Sequence, residues 1–147
     1  MKKPLVSIAT MASVAALALV FVSGAVAQTQ KTVKHHIVFE LNEPEGAAWD
    51  SLVKHVNNVR KALAADGGSQ VEVVFWGPGL NMLLKKNTAY EERLKQLIDD
   101  GVTLSACQNA MHVMNVKTED LFPFATQVDS GIAQIVRRQE TGWSYIH

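Results

Sequence analysis

Val71-Glu72-Val73-Val74-Phe75-Trp76-Gly77-Pro78-Gly79 is the stretch whose reading decides the fold. Its first six residues are rich in β-branched and aromatic side chains and read as a strand. The Gly-Pro-Gly that follows reads as a loop. Upstream, Val33 to Leu41 is a first strand, whose His35-His36-Ile37-Val38-Phe39 ends in the continuous apolar run of a strand covered on both faces. Asn42-Glu43-Pro44-Glu45-Gly46 is a turn. Trp49, Leu52, Val53, Val56, Val59 and Leu63 then recur at helical spacing, with Lys54, Asn57, Asn58, Arg60 and Lys61 between them. Asp66-Gly67-Gly68 closes that helix.

Downstream the same alternation repeats. A short helix is expected over Leu80 to Leu84. A longer one follows Asn87-Thr88, with Tyr90, Leu94, Leu97 and Ile98 on one side and Asp100-Gly101 as its stop. Val102 to Ala106 is a third strand ending at Cys107. A helical segment, Asn109 to Met114, comes next. Lys117 to Pro123 is a connection with a helical turn, and Ala125 to Val128 a fourth strand. Ser130 caps the last helix, whose Ile132, Ile135 and Val136 are expected to pack inward and whose Arg137-Arg138 sit near its negative end. Gly142 ends it, and Trp143-Ser144-Tyr145-Ile146 alternates like a final strand. Strands alternating with helices imply βαβ units, right-handed crossovers and a mostly parallel α/β sheet. In such sheets ligands collect outside the carboxyl ends of the strands. Gly77-Pro78-Gly79 and Cys107 both land there.

The N-terminus reads differently. Lys2 and Lys3 form a positive segment, Leu5 to Val22 is apolar or small without charge, and Ala25-Val26-Ala27 is a small-x-small cleavage site. Residues 1–27 are therefore expected to be a secretory signal peptide cut after Ala27, leaving a single domain over 28–147 in the periplasm or secreted. The alternative is an uncleaved membrane anchor, since the apolar stretch is long enough for one. Cleavage takes two lysines from 14 basic residues and leaves 12 against 14 acidic ones. That balance carries no footprint for nucleic acid or for an anionic membrane.

The chain has one cysteine, Cys107. Exported proteins usually keep cysteines as pairs, so this one is a buried small hydrophobe, a reactive thiol or an intermolecular partner. At a strand-to-helix junction, unpaired N–H groups and the helix dipole favour a thiolate, the nucleophile of sulfur transfer and disulfide exchange. Without a second cysteine, that chemistry needs a partner thiol from outside the chain. His35 and His36 are adjacent in a strand and point to opposite faces, so they do not chelate one metal. His112 reaches the thiol only if its helix starts irregularly. No ligand spacing for a metal and no cofactor motif is present; Gly77-Pro78-Gly79 lacks both the Lys-Ser/Thr of a P-loop and the dinucleotide spacing. Its glycines let the backbone approach either a ligand or a neighbouring loop. Trp76 beside it walls a pocket or belongs to the core.

Four segments in this order carry a resemblance: Gly77-Pro78-Gly79-Leu80, Ala106-Cys107-Gln108-Asn109-Ala110-Met111, Glu119-Asp120-Leu121, and Ser130-Gly131-Ile132-Ala133 with Gln139-Glu140-Thr141-Gly142-Trp143-Ser144-Tyr145-Ile146. Together they resemble the DsrE/DsrF-like family across essentially the whole of residues 28–147. The resemblance implies a three-layer α/β/α sandwich with a five-stranded, mostly parallel sheet, flavodoxin-like in appearance. It also implies homo-oligomers, trimers or hexamers. Better-understood relatives relay sulfur as a persulfide on a cysteine after the third strand, a role that falls on Cys107. Relatives similar to this chain often carry His before the Gly-Pro, where this chain has Trp76. The candidate site is therefore Cys107 as the reacting group, with Gly77, Pro78, Gly79, Asn109 and Met111 binding, and a sulfur donor or thiol protein as the partner. The competing expectation is a non-catalytic oligomeric binding module in which Cys107 is structural.

Overall fold

The computed structural model describes residues 33–147; the signal-peptide expectation for residues 1–27 lies outside them. The elements alternate as β1 (His35–Leu41), α1 (Ala47–Ala62), β2 (Ser69–Phe75), a 3-10 helix (Gly77–Leu83), α2 (Thr88–Asp99), β3 (Thr103–Cys107), α3 (Gln108–Val113), a 3-10 turn (Thr118–Asp120), β4 (Thr126–Val128), α4 (Gly131–Glu140) and β5 (Ser144–Ile146). All five strands are parallel, in the order β4-β3-β2-β1-β5. The steps β1 to β4 march across the sheet in one direction, and β5 returns to the opposite edge beside β1. A right-handed crossover in the reverse direction places its helix on the reverse face. That topology makes the three layers of an α/β/α sandwich.

The two faces differ. Ile37, Phe39, Leu41, Val71, Val73, Phe75, Leu104 and Ala106 point to one side, where α1, α2 and the first 3-10 helix bury Trp49, Val56, Leu80, Leu94 and Leu97 against them. The other face is covered by α4, where Val38 and Val74 meet Ile135 and Trp143. Among the described residues no helix is long and apolar enough to cross a membrane.

Two readings of the sequence need correcting. First, Gly77-Pro78-Gly79 is the opening turn of the 3-10 helix rather than a loop, with Pro78 in the first positions, where a missing N–H costs nothing. A Cβ on Gly79 would fall 2.2 Å from the Leu41 carbonyl oxygen, so this glycine exists for close packing of the chain on the end of β1. Second, Ile132 and Val136 do not pack inward; they are 57% and 47% exposed. The inward face of α4 is Gly131, Gln134, Ile135 and Arg138, at the i, i+3, i+4, i+7 spacing of one helix stripe, with Gly131 and Ile135 buried and the two polar residues half-buried. Polar residues occupy that stripe because the sheet beneath it presents Glu72 and Ser105, both fully buried. Ile132 and Val136 lie one residue further round the helix.

Gly79→Ala should lower the unfolding free energy by about 3 kcal/mol, the upper part of the range for overpacking, because the added methyl meets backbone. Urea unfolding of the variant checks it.

Candidate functional site

β3 ends at Cys107, and the same residue caps α3: its Sγ accepts the Ala110 N–H at 3.4 Å. A second donor comes from another element. Ser130 caps α4 through its own hydroxyl, and the next residue, Gly131, turns its N–H onto Cys107 Sγ at 3.1 Å. The thiol thus sits between the first turns of two helices, and amide groups in that position stabilise a sulfur anion. The approach is possible because residue 131 has no side chain. A Cβ there would stand 3.0 Å from Trp76 Cβ, 3.2 Å from Val74 Cγ1 and 3.3 Å from Cys107 Cβ.

Cys107 is 4% exposed and opens onto a cavity of about 270 Å³. Trp76 and Gly77 line it from the end of β2; Asn109, Ala110, Val113 and Met114 from α3 and its last turn; Ser130, Gly131 and Ile132 from the start of α4. None of these residues carries a charge. Val113 and Ile132 form an exposed apolar rim, Val113 being 80% exposed.

The Trp76 wall is held from behind. Its indole Nε1 donates to the Glu40 carboxylate at 2.8 Å. Glu40 also accepts from the Tyr145 hydroxyl and pairs with His147 Nδ1 at 2.8 Å. Burial works against ionisation of Glu40, but the hydrogen bonds from Tyr145, Trp76 and His147 outweigh it and hold the carboxyl below the usual carboxylate range. Burial and the bond to Glu40 push the Tyr145 hydroxyl up to about 12.

The candidate residues separate. Cys107, Gly77 and Asn109 come together at the cavity. Asn109 spends its backbone N–H on the Asp129 carbonyl at 3.3 Å, so the donors to sulfur are Ala110 and Gly131 instead. Pro78 is exposed and, like Gly79 and Met111, does not line the cavity; Gly79 packs on β1, and Met111 belongs to the main core. His112 is exposed and off the cavity. His36 lies against Trp143 on the α4 face, whereas His35 takes the other face. Among the described residues no group of three or more His, Cys, Asp or Glu is placed to hold a metal ion. The sequence reading passed over Gly131. Its signal was present in the Ser130 cap, since the N–H groups just after an N-cap always need a partner.

The fold defines the class, a parallel five-stranded α/β/α sandwich, and the sequence comparisons place the chain in one family. The model of the DsrE/DsrF-like family matches residues 53–147, and the chain belongs to that family, which is related in general to sulfur relay. Among solved structures it is similar to the protein of unknown function MTH1491 from Methanobacterium thermoautotrophicum, at 30% identity over 77% of this chain and 98% of that one, with a TM-score of 0.67. The ychN protein of E. coli shares the fold at 11% identity and a TM-score of 0.59, over 77% of this chain and 98% of that one. No curated protein matches the sequence.

Because folding holds the Glu40 pKa below its ordinary value of about 4.5, its contribution to stability is present above that value and is lost as pH falls through the lower, folded-state one. Glu40→Gln should therefore be less stable than the wild type at pH 7, and the difference should shrink steadily below about pH 4.5. Thermal unfolding of both proteins across that range tests it.

Proposed function

We propose that the protein is an exported sulfur carrier that holds a persulfide on Cys107. The observation that carries this reading is the Cys107 sulfur held by two amide donors, Ala110 and Gly131, at the floor of an uncharged cavity. Membership of a family related to sulfur relay supports it. The signal-peptide pattern of residues 1–27 supports a periplasmic or secreted setting, with cleavage after Ala27.

The step needs no cofactor. The Cys107 thiolate attacks the outer sulfur of a persulfide or polysulfide donor. A bond forms between Sγ and that sulfur, the donor's S–S bond breaks, and the donor thiolate leaves with the electron pair. Passing the sulfur on is the same exchange with an acceptor thiolate. Both partners come from outside the chain, since Cys107 is its one thiol. The exposed apolar residues Val113, Ile132 and Val136 suit self-association, and a homo-oligomer, trimer or hexamer, is part of the proposal.

A second reading has an observation of its own. Cys107 is nearly fully buried and caps α3, as a structural residue in a non-catalytic binding module would.

Polysulfide treatment of the purified protein, followed by intact-mass measurement, separates the two. The carrier reading expects an adduct of one or more sulfur atoms on the wild type and none on Cys107→Ser. An unmodified wild type, or equal adducts on both proteins, overturns it. A thiol that a small alkylating reagent reaches only after denaturation favours the binding module.

A further inference from the structure

One buried acidic side chain takes no part in the sulfur step. Glu72 lies in the middle of β2 on the α4 face and is 1% exposed. We infer that Glu72 is a positioning residue for the Cys107 thiol, clamping the start of α4 so that the Gly131 N–H stays on Sγ. The clamp stands on geometry alone, and its importance for sulfur loading rests on the carrier reading.

Glu72 grips both pieces of chain that carry the sulfur and its donor. On the strand side, Ser105 donates its hydroxyl to Oε1 at 2.6 Å, and Ser105 stands two residues before Cys107 on the same face of β3. On the helix side, Gln134 Nε2 lies 3.1 and 3.2 Å from the two carboxylate oxygens, and Arg138 forms an ion pair through Nε. Gln134 and Arg138 are one turn apart, and Gly131 is the turn before them. Arg138 is itself held over the Trp143 ring, its guanidinium carbon 4.1 Å from the centroid. The apolar hold on α4 is small, with Ile135 as the buried apolar side chain of the helix. Register of the helix on the sheet therefore falls to the polar contacts. A slide of less than an ångström would take the Gly131 N–H out of hydrogen-bonding range of Sγ.

The elements around the thiol bring few other charges. β3, β4 and the first 3-10 helix carry none, and α3 has His112, which is exposed. α4 has Arg137, which is paired with Asp129 at 2.7 Å, Arg138 in the clamp and the exposed Glu140. A change at Glu72 therefore reads out on the thiol in two separable ways. Loss of its negative charge alone favours the thiolate and moves ionisation to lower pH. Loss of the Gly131 donor moves it to higher pH.

The test is the ultraviolet absorbance of the thiolate against pH in the purified protein, with Cys107→Ser subtracted as background. Glu72→Gln should move half-ionisation up by about half a pH unit or more, the size of one modest hydrogen bond. Gln134→Ala, which leaves the Glu72–Arg138 pair in place, should move it in the same direction by less. Arg60→Ala removes an exposed pair with Asp100 on the opposite face and should lower stability without moving the profile. An unmoved profile in Glu72→Gln, or one moved to lower pH, overturns the inference. If Glu72→Gln does not fold, an unmoved Gln134→Ala does so. Sulfur loading measured on the same proteins keeps the two ideas apart. A wild type that takes up no sulfur ends the carrier reading, while the titration still decides the clamp.

Discussion

A carboxylate in the middle of a parallel sheet, almost wholly removed from water, has to be matched by donors from whatever layer covers it. Glu72 imposes that requirement on α4. Ser105 answers it from the neighbouring strand, and Gln134 and Arg138 from the helix. The consequence runs the length of the helix. Its inward stripe is polar at two positions, its branched residues Ile132 and Val136 turn outward, and its first residue, Gly131, arrives against the end of β3. Without a side chain at residue 131 the helix start closes to 3.1 Å from the Cys107 sulfur. The outward turn of Ile132 and Val136 and the placing of Gly131 against the thiol both follow from the polar hold of Glu72 on α4.

The site is assembled at the carboxyl edge because an all-parallel sheet delivers every strand end to one edge. Each strand end contributes to it. β3 brings Cys107, β2 brings Trp76 and Gly77, and the connection after β4 brings Ser130 and Gly131. β1 and β5 act from behind, through Glu40 and Tyr145, which hold the indole of Trp76 in place. Trp76 supplies an apolar wall anchored by one polar atom. The cavity is accordingly uncharged, and the polar groups offered to the sulfur are backbone amides. Such donors are fixed in place before any reaction and need no reorganisation when charge builds on sulfur.

Half of the candidate residues, Cys107, Gly77 and Asn109, were placed correctly from the sequence, which reaches only as far as chain neighbours go. Cys107 at a strand-to-helix junction, Gly77 after the second strand and Ser130 as a cap all follow from local rules. What went astray did so for two reasons. Gly79 and Met111 lie near cavity residues in sequence yet turn away from the cavity, Gly79 onto the end of β1 and Met111 into the core, because a helical turn sends nearby residues to different sides. The inward face of α4 was misread because hydrophobic periodicity assumes an apolar partner, and here the partner is Glu72.

By itself the sequence determined the order of the strands and helices and the parallel sheet, since these depend on periodicity, turn residues and the handedness of crossovers, all of which are local or chiral constraints; the family resemblance rested instead on four short motifs in order. It also placed the single thiol at the carboxyl edge of the sheet. The tertiary structure alone decided which amides meet that thiol, which face of α4 is buried and what Gly79 and Gly131 are for. Those depend on contacts between residues dozens of positions apart: Glu72 with Arg138, Cys107 with Gly131 and Trp76 with Glu40. No spacing rule along the chain encodes such pairs; they exist only once the strand order has brought the ends of β1, β2 and β3 side by side beneath one helix.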